Sequence, residues 1–262
     1  MRIVIVIQAR MASTRLPGKV MLPLLGEPLL ARMIERVRLS EQSDELVVAT
    51  TPEAEDDVIV DLCRRLQTAY FRGHPEDCLK RHLDAGRRFR ADAVTKIPSD
   101  CPMIDPAVID RVLGEYRRLA AGVDYVSDLH PGTWPDGNDV EVMGIDVLER
   151  AAAESRSPFD REHTTPYVWS NPARFRLHNV RWHTGQDLSR SHRWVVDWVE
   201  DYRLVVECFG ALYPRFGPAF HVEDVLSLYR TRPELAAINA QHRHYDYRLT
   251  RPVADTHLTT RA

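Results

Sequence analysis

Five consecutive β-branched residues, Ile3 to Ile7, open the chain and run straight into a loop carrying Arg10, Ser13, Thr14, Arg15, Gly18 and Lys19. A strand without polar alternation is buried on both faces, as in parallel sheets covered by helices on each side. The carboxyl edge of such an open α/β sheet is where anionic ligands bind. The cations gather at that end of the strand, and no acidic residue precedes Glu27. The opening therefore points to an α/β fold with a phosphate-rich ligand at the end of its first strand, most simply a nucleoside triphosphate.

The pattern downstream agrees. Pro28 to Arg38 carries Leu29, Leu30, Met33, Ile34 and Val37 on one helical stripe. Strands are predicted at Leu46–Thr50, Tyr70–Phe71, Ala93–Ile97 and Asp124–Ser127. Helices are predicted from Pro52-Glu53, over 76–90 and over Asp105–Leu119. This alternation predicts a mainly parallel sheet with helices on both faces. After residue 130 the signal changes. The stretch His130 to Asn138 is turn chemistry. A half-exposed strand is expected at Asp139–Ile145, a helix at Arg161–Trp169, and a strand at Phe175–Trp182. Arg193–Val196 reads as a last strand feeding a helix from about Glu200 to Leu212 and returning to the main sheet. The expected organisation is one domain over 1–214, with 130–190 an insertion covering a pocket, and a C-terminal extension of short helices and polar tail over 215–262.

Composition narrows the function. The chain has 262 residues and a formal net charge of -3, which argues against a protein that coats nucleic acid. No apolar run reaches the roughly 18 residues of a membrane helix. Cys63, Cys78, Cys101 and Cys208 are scattered without a C-x-x-C pair, as expected of free thiols in a reducing cytosol.

Three positions stand out chemically. The loop from Ala9 to Lys19 supplies fixed cations, the Ser13 and Thr14 hydroxyls, and Gly18 for close backbone approach. It is not a Walker A loop, because Val20 follows Lys19, and no G-x-G-x-x-G is present. Asp100 ends a buried strand and would point into the same crevice. Asp197 likewise follows the apolar Trp194-Val195-Val196. Two such carboxylates would hold magnesium over a triphosphate. Each position also has a purely structural reading: a solvated basic loop, a turn cap and a helix N-cap. Asp136, Asp139 and Glu141 form an acidic cluster that would bind an amine or hydroxyls, or be an exposed turn. Trp194 and Trp198 read as core residues.

Gln8-Ala9-Arg10-Met11-Ala12-Ser13-Thr14-Arg15-Leu16-Pro17-Gly18-Lys19-Val20 closely resembles the opening motif of the cytidylyltransferases of the spore coat polysaccharide biosynthesis protein F type, akin to CMP-sialic acid and CMP-Kdo synthetases. Further matches follow in order: Val48-Ala49-Thr50-Thr51, Phe71-Arg72-Gly73, Asp100 to Asp105, Pro135-Asp136-Gly137, Asp139 to Val142, Arg161 to Tyr167, Asp187-Leu188-Ser189 and Arg193-Trp194. The resemblance runs to about residue 212. It implies a nucleotide-diphospho-sugar transferase-like fold, CTP and Mg²⁺ as ligands, and a homodimer. By position it implies that Gln8, Ala9 and Arg10 border the nucleoside. Arg10, Ser13, Thr14, Arg15, Gly18 and Lys19 would hold the triphosphate, with Arg81 near the nucleotide. Asp100 and Asp197 would be the metal ligands. Asp139, Glu141, Arg161, His163 and Arg193 are candidates for an acidic acceptor's pocket. The chain departs from the family at Lys80, at Pro98-Ser99 and at Trp198.

The implied reaction is in-line attack of an acceptor oxyanion on the α-phosphorus of CTP, with pyrophosphate leaving. Such chemistry needs positioning and charge neutralisation more than covalent catalysis. Arg15, Lys19 and Asp100 are the residues assigned to it. The competing readings are a glycosyltransferase using a ready-made nucleotide-sugar and a catalytically silent nucleotide-binding protein.

Overall fold

A computed structural model describes residues 1–119 and 121–246. In chain order the elements are β1 (Ile3–Gln8), a short hairpin β2 (Pro23–Leu24) and β3 (Glu27–Pro28), α1 (Leu29–Val37), β4 (Glu45–Thr50), α2 (Asp57–Arg65), β5 (Ala69–Arg72) and α3 (Cys78–Arg88). They continue with β6 (Ala93–Pro98), α4 (Pro106–Leu119), β7 (Tyr125–Ser127), β8 (Glu141–Gly144), α5 (Ile145–Glu154), α6 (Pro158–His163), α7 (Pro166–Trp169), β9 (Leu177–Asn179), α8 (Val199–Phe216) and α9 (Val222–Thr231).

The main sheet has seven strands in the order β5-β4-β1-β6-β8-β7-β9. All neighbours pair in parallel except β8, which is antiparallel to both β6 and β7. β1 is central, and its alternation explains the two layers. Ile3, Ile5 and Ile7 enter one core with α1, α2, α4 and α8, while Val4 and Val6 enter the other with α3 and α5. The stripe Leu29, Leu30, Met33, Ile34 and Val37 is buried as its spacing predicts.

The second half departs from expectation in five places. Arg193–Val196 joins no strand of the sheet; it is an extended segment with one bridge, from Arg193 to Asp136. Its backbone bonds run instead to the neighbouring loop and to Asp100, with Trp194 N–H donating to Asp136 O at 2.7 Å and Val196 N–H to Asp100 O at 2.8 Å. The predicted helix at Arg161–Trp169 is two short helices, α6 and α7, broken at Thr164 (φ 72°). Pro166 has no N–H to continue α6 and opens α7 instead. The strand expected over Phe175–Trp182 is reduced to β9, and that over Asp139–Ile145 to β8. The helix expected over 200–212 extends at both ends, to Val199–Phe216. Residues 130–190 thus build part of the sheet as well as the wall beside it. α8 and α9 pack on the same core as α1, tied there by Arg36. That side chain is fully buried and donates to the carbonyls of Met103, Ile104, Pro218 and Phe220.

Among the described residues no helix is long and apolar enough to cross a membrane. All four cysteines are buried and unpaired.

Candidate active site

Sheet topology brings the expected residues together. β6 and β7 run in the same direction and β8 against them. The carboxyl ends of β1, β6 and β7 and the start of β8 therefore share one edge. The loop after β1 lies on that edge, folded around the Met11 carbonyl, which accepts from Ser13 N–H (2.8 Å) and Gly18 N–H (3.0 Å). Asp56 anchors it from below by accepting from Met11 N–H at 2.7 Å. Gly18 sits at φ 70°, where an added Cβ would meet Met11 Cε at 3.3 Å. Left-handed backbone costs an L-residue about 1–2 kcal/mol. Gly18→Ala should therefore lower the melting temperature by a few degrees and raise the CTP concentration needed for half-saturation several-fold, measurable by thermal denaturation and nucleotide titration.

Lys19 follows that turn and enters the protein, where it is 9% exposed. Its ammonium donates to Asp100 Oδ2 (2.7 Å), Val196 O (2.9 Å) and Asp197 Oδ1 (3.0 Å). Burial disfavours this charge, but Asp100 and Asp197 outweigh it and raise the lysine's pKa. Arg15 donates to Asp197 Oδ1 at 2.6 Å and to Tyr245 Oη at 2.7 Å. Burial alone would raise the Asp197 carboxyl; Lys19 and Arg15 together hold it at about 2. Arg193 approaches Asp197 from the other side at 2.8 Å and also reaches Asp136 (3.0 Å) and Asp201 (3.3 Å). Asp201 in turn accepts from the backbone N–H groups of Asp197 (3.0 Å) and Trp198 (3.1 Å), so it sets the Asp197 turn.

Two cavities of about 440 and 220 Å³ adjoin here. Both are lined by Gln8, Arg15, Asp100 and His163. The smaller also takes Ala9, Arg10, Ser13, Thr14, Lys19 and Arg81, the set assigned to the nucleotide apart from Gly18, which shapes the turn instead. Arg81 is fixed by the carbonyls of His74 (2.6 Å) and Pro75 (3.1 Å). The larger cavity is lined by Asp139, Arg193 and Asp197. Burial and then Lys96 depress the His163 pKa to about 4, leaving a neutral imidazole at the junction.

Two acceptor candidates lie elsewhere. Arg161 lines neither cavity; its guanidinium is taken by Asp77 (2.6 Å) and the carbonyls of Ala152 and Ser155. Glu141 is fully buried behind the wall and binds Lys96 and Tyr125. Burial opposes its charge, yet Lys96 wins and keeps it below the ordinary carboxylate range. Lys96 itself lines the larger cavity. Of the tryptophans, Trp194 is core, whereas Trp198 stacks on His242 and packs over Arg15 and Arg193.

Among the described residues no three His, Cys, Asp or Glu side chains form a preformed metal cage. Magnesium at phosphates needs less, since one or two carboxylates suffice when phosphate oxygens and water complete its shell. Asp100 and Asp197 both reach a single point, now held by the Lys19 ammonium, at the rim of both cavities. The donor set fits a hard divalent cation.

A Rossmann-like sheet whose edge gathers cations and paired carboxylates suits a nucleotidyltransferase. The chain belongs to the cytidylyltransferase family, whose model matches residues 4–237. It is 29% identical over 242 residues to the spore coat polysaccharide biosynthesis protein SpsF of Bacillus subtilis (strain 168), covering 89% of this chain and 96% of that protein. The solved cytidylyltransferase of Leptospira borgpetersenii serovar Hardjo-bovis (strain JB197) superposes with a TM-score of 0.84 at 30% identity, covering 90% of this chain and 97% of that one. CMP:2-keto-3-deoxy-manno-octonic acid synthetase, solved with CTP, shares the fold at a TM-score of 0.60 and 17% identity, covering 80% and 99% of the two chains. The family's activity is CTP-dependent cytidylyl transfer.

Proposed function

We propose that this chain transfers CMP from CTP to an acidic acceptor (a sugar acid, phosphate or phosphonate), using Mg²⁺ and releasing pyrophosphate. One observation carries the reading: Arg15, Lys19, Asp100 and Asp197 converge where the two cavities meet. CTP fills the smaller cavity, and the acceptor fills the larger. Arg15 and Lys19 orient the phosphates and stabilise the charge developing on pyrophosphate. A divalent cation on Asp100 and Asp197, when bound, neutralises phosphate-oxygen charge. His163, neutral at the junction, donates or accepts a hydrogen bond without adding charge. Arg193 and Asp139 face the acceptor, and Glu141 acts through Lys96.

The test is pyrophosphate release from each of the four nucleoside triphosphates, with Mg²⁺ or EDTA, against panels of sugar acids, phosphosugars and phosphonates. Release with CTP and one acceptor class, abolished by EDTA, is expected. Transfer from a preformed nucleotide-sugar, with no pyrophosphate from CTP under any pairing, would overturn the reading.

A further inference from the structure

The match to the cytidylyltransferase family ends at residue 237, yet the chain returns to the active site after it. Asn239 is buried and donates to Arg193 O at 2.9 Å and to Asp201 Oδ1 at 2.8 Å. His242 stacks on Trp198, with ring centroids 4.2 Å apart and planes 6° from parallel, and its Nε2 lies 3.2 Å from Glu200 Oε2. Tyr245 meets the same indole edge-on at 5.0 Å and lines both cavities. Trp198, a position where the chain departs from the family, is thus the seat of a segment that lies beyond the family match.

Arg15 lies beside both rings. Its guanidinium carbon is 4.8 Å from the centre of the Tyr245 ring and 5.2 Å from that of Trp198. Nη1 donates to Tyr245 Oη at 2.7 Å, while Nη2 donates to Asp197 Oδ1 at 2.6 Å. A guanidinium has five N–H donors, so donors remain for a ligand. The side chain is 38% exposed. Left to itself, an arginine that open samples many rotamers and loses that freedom on binding phosphate. Bonds on two different nitrogens fix the plane of its fork, and two rings within cation–π distance restrict its swing.

We propose that Tyr245, seated on Trp198, is a positioning residue that holds Arg15 ready for the triphosphate of CTP, so that a segment beyond the family match completes the nucleotide site. The inference rests on the nucleotide half of the transferase reading. Tyr245 acts through Arg15. Without it the guanidinium keeps Asp197 alone and turns about that bond. The loss therefore falls on the phosphates that Arg15 orients and spares the nucleoside.

The experiment is calorimetric titration of the full chain with CTP and with CMP, folding being checked by melting temperature. Tyr245→Ala should weaken CTP binding roughly tenfold, the scale of one lost hydrogen bond to a charged group, and leave CMP binding unchanged. Tyr245→Phe, which keeps the ring, should fall between parent and Tyr245→Ala. In an Arg15→Ala background, Tyr245→Ala should cost nothing further, since a residue that works only through another has no effect once that partner is gone. An equal loss for CTP and CMP, unchanged CTP binding, or an additive loss in the Arg15→Ala background overturns the proposal. Tighter CTP binding in Tyr245→Ala also overturns it, and makes Tyr245 a competitor of the phosphates. The expected pattern without pyrophosphate release from any acceptor supports the proposal, and the transferase reading alone then fails. A parent that binds no CTP overturns both.

Discussion

Asp100→Asn lowers kcat by on the order of 10²–10³-fold, the cost of removing one preorganised electrostatic group from a transition state, and leaves the fold standing. The two halves of this expectation have separate causes. Asp100 is the carboxylate most available to a ligand: its side chain is 22% exposed, against 6% for Asp197, and it lines both cavities. Its Oδ2 accepts from Lys19, which keeps two other acceptors, Val196 O and Asp197, when Asp100 is neutralised. The substitution preserves shape and removes only charge, so no buried cation is stranded. Steady-state pyrophosphate release measures the first half, and thermal denaturation the second. Turnover within a few-fold of the parent would remove Asp100 from the metal and phosphate site. A collapse of the melting temperature would make it a structural residue and disqualify the kinetic reading.

Local patterns made the first half of the molecule legible, because its strands are unbroken apolar runs and its first helix has a clean stripe. Arg193–Val196 misled for a physical reason. Three apolar residues after an arginine look like a sheet strand, but here they pack inward from a segment whose backbone partners are a loop and Asp100. The cluster was legible where it follows strands of the sheet, with Arg15 and Lys19 after β1 and Asp100 after β6, whereas Asp197 joins it from a segment outside the sheet. It was unreadable where a distant side chain closes the network. Tyr245 reaches Arg15, and Asn239 donates to Asp201 at 2.8 Å, yet both lie in a polar stretch with no periodicity. Asp201 looks like any acid in a first helical turn, and it does cap α8 while it also holds Arg193. Lys96 did carry a signal: a lone lysine inside Ala93–Ile97 requires a buried partner. Glu141 is that partner, and the pair explains why Glu141 stands behind the acceptor wall and not in it.

Arg193→Ala should produce a large loss of stability, and that loss should shrink in acid. Arg193 is 3% exposed and bridges Asp136, Asp197 and Asp201. Breaking a buried ion network from one side costs about 3–5 kcal/mol, because the remaining charges stay desolvated. Against a domain stability of about 5–15 kcal/mol that is a large fraction, worth roughly 10 °C of melting temperature in a chain of this size. The pH dependence follows from the carboxylates left behind. Burial and the neighbouring Asp139 already push Asp136 above the ordinary carboxylate range, and Arg193 is a cation opposing them. Without it the folded-state pKa of Asp136 rises further, and a group whose folded pKa lies above its unfolded value destabilises most where it is fully ionised. The Asp136 part of the deficit is therefore greatest at alkaline pH and closes as pH falls from the variant's further-raised value to the parent's value of about 8, below which both proteins carry Asp136 protonated. Asp197 acts in the same direction, since the parent loses the stabilisation of that depressed carboxyl as pH falls toward about 2. Urea melts of parent and variant across pH should thus converge in acid. Parallel curves would mean that Arg193 stabilises through the packing of its aliphatic stem and its contact with Trp198, and that the three aspartates do not share its charge.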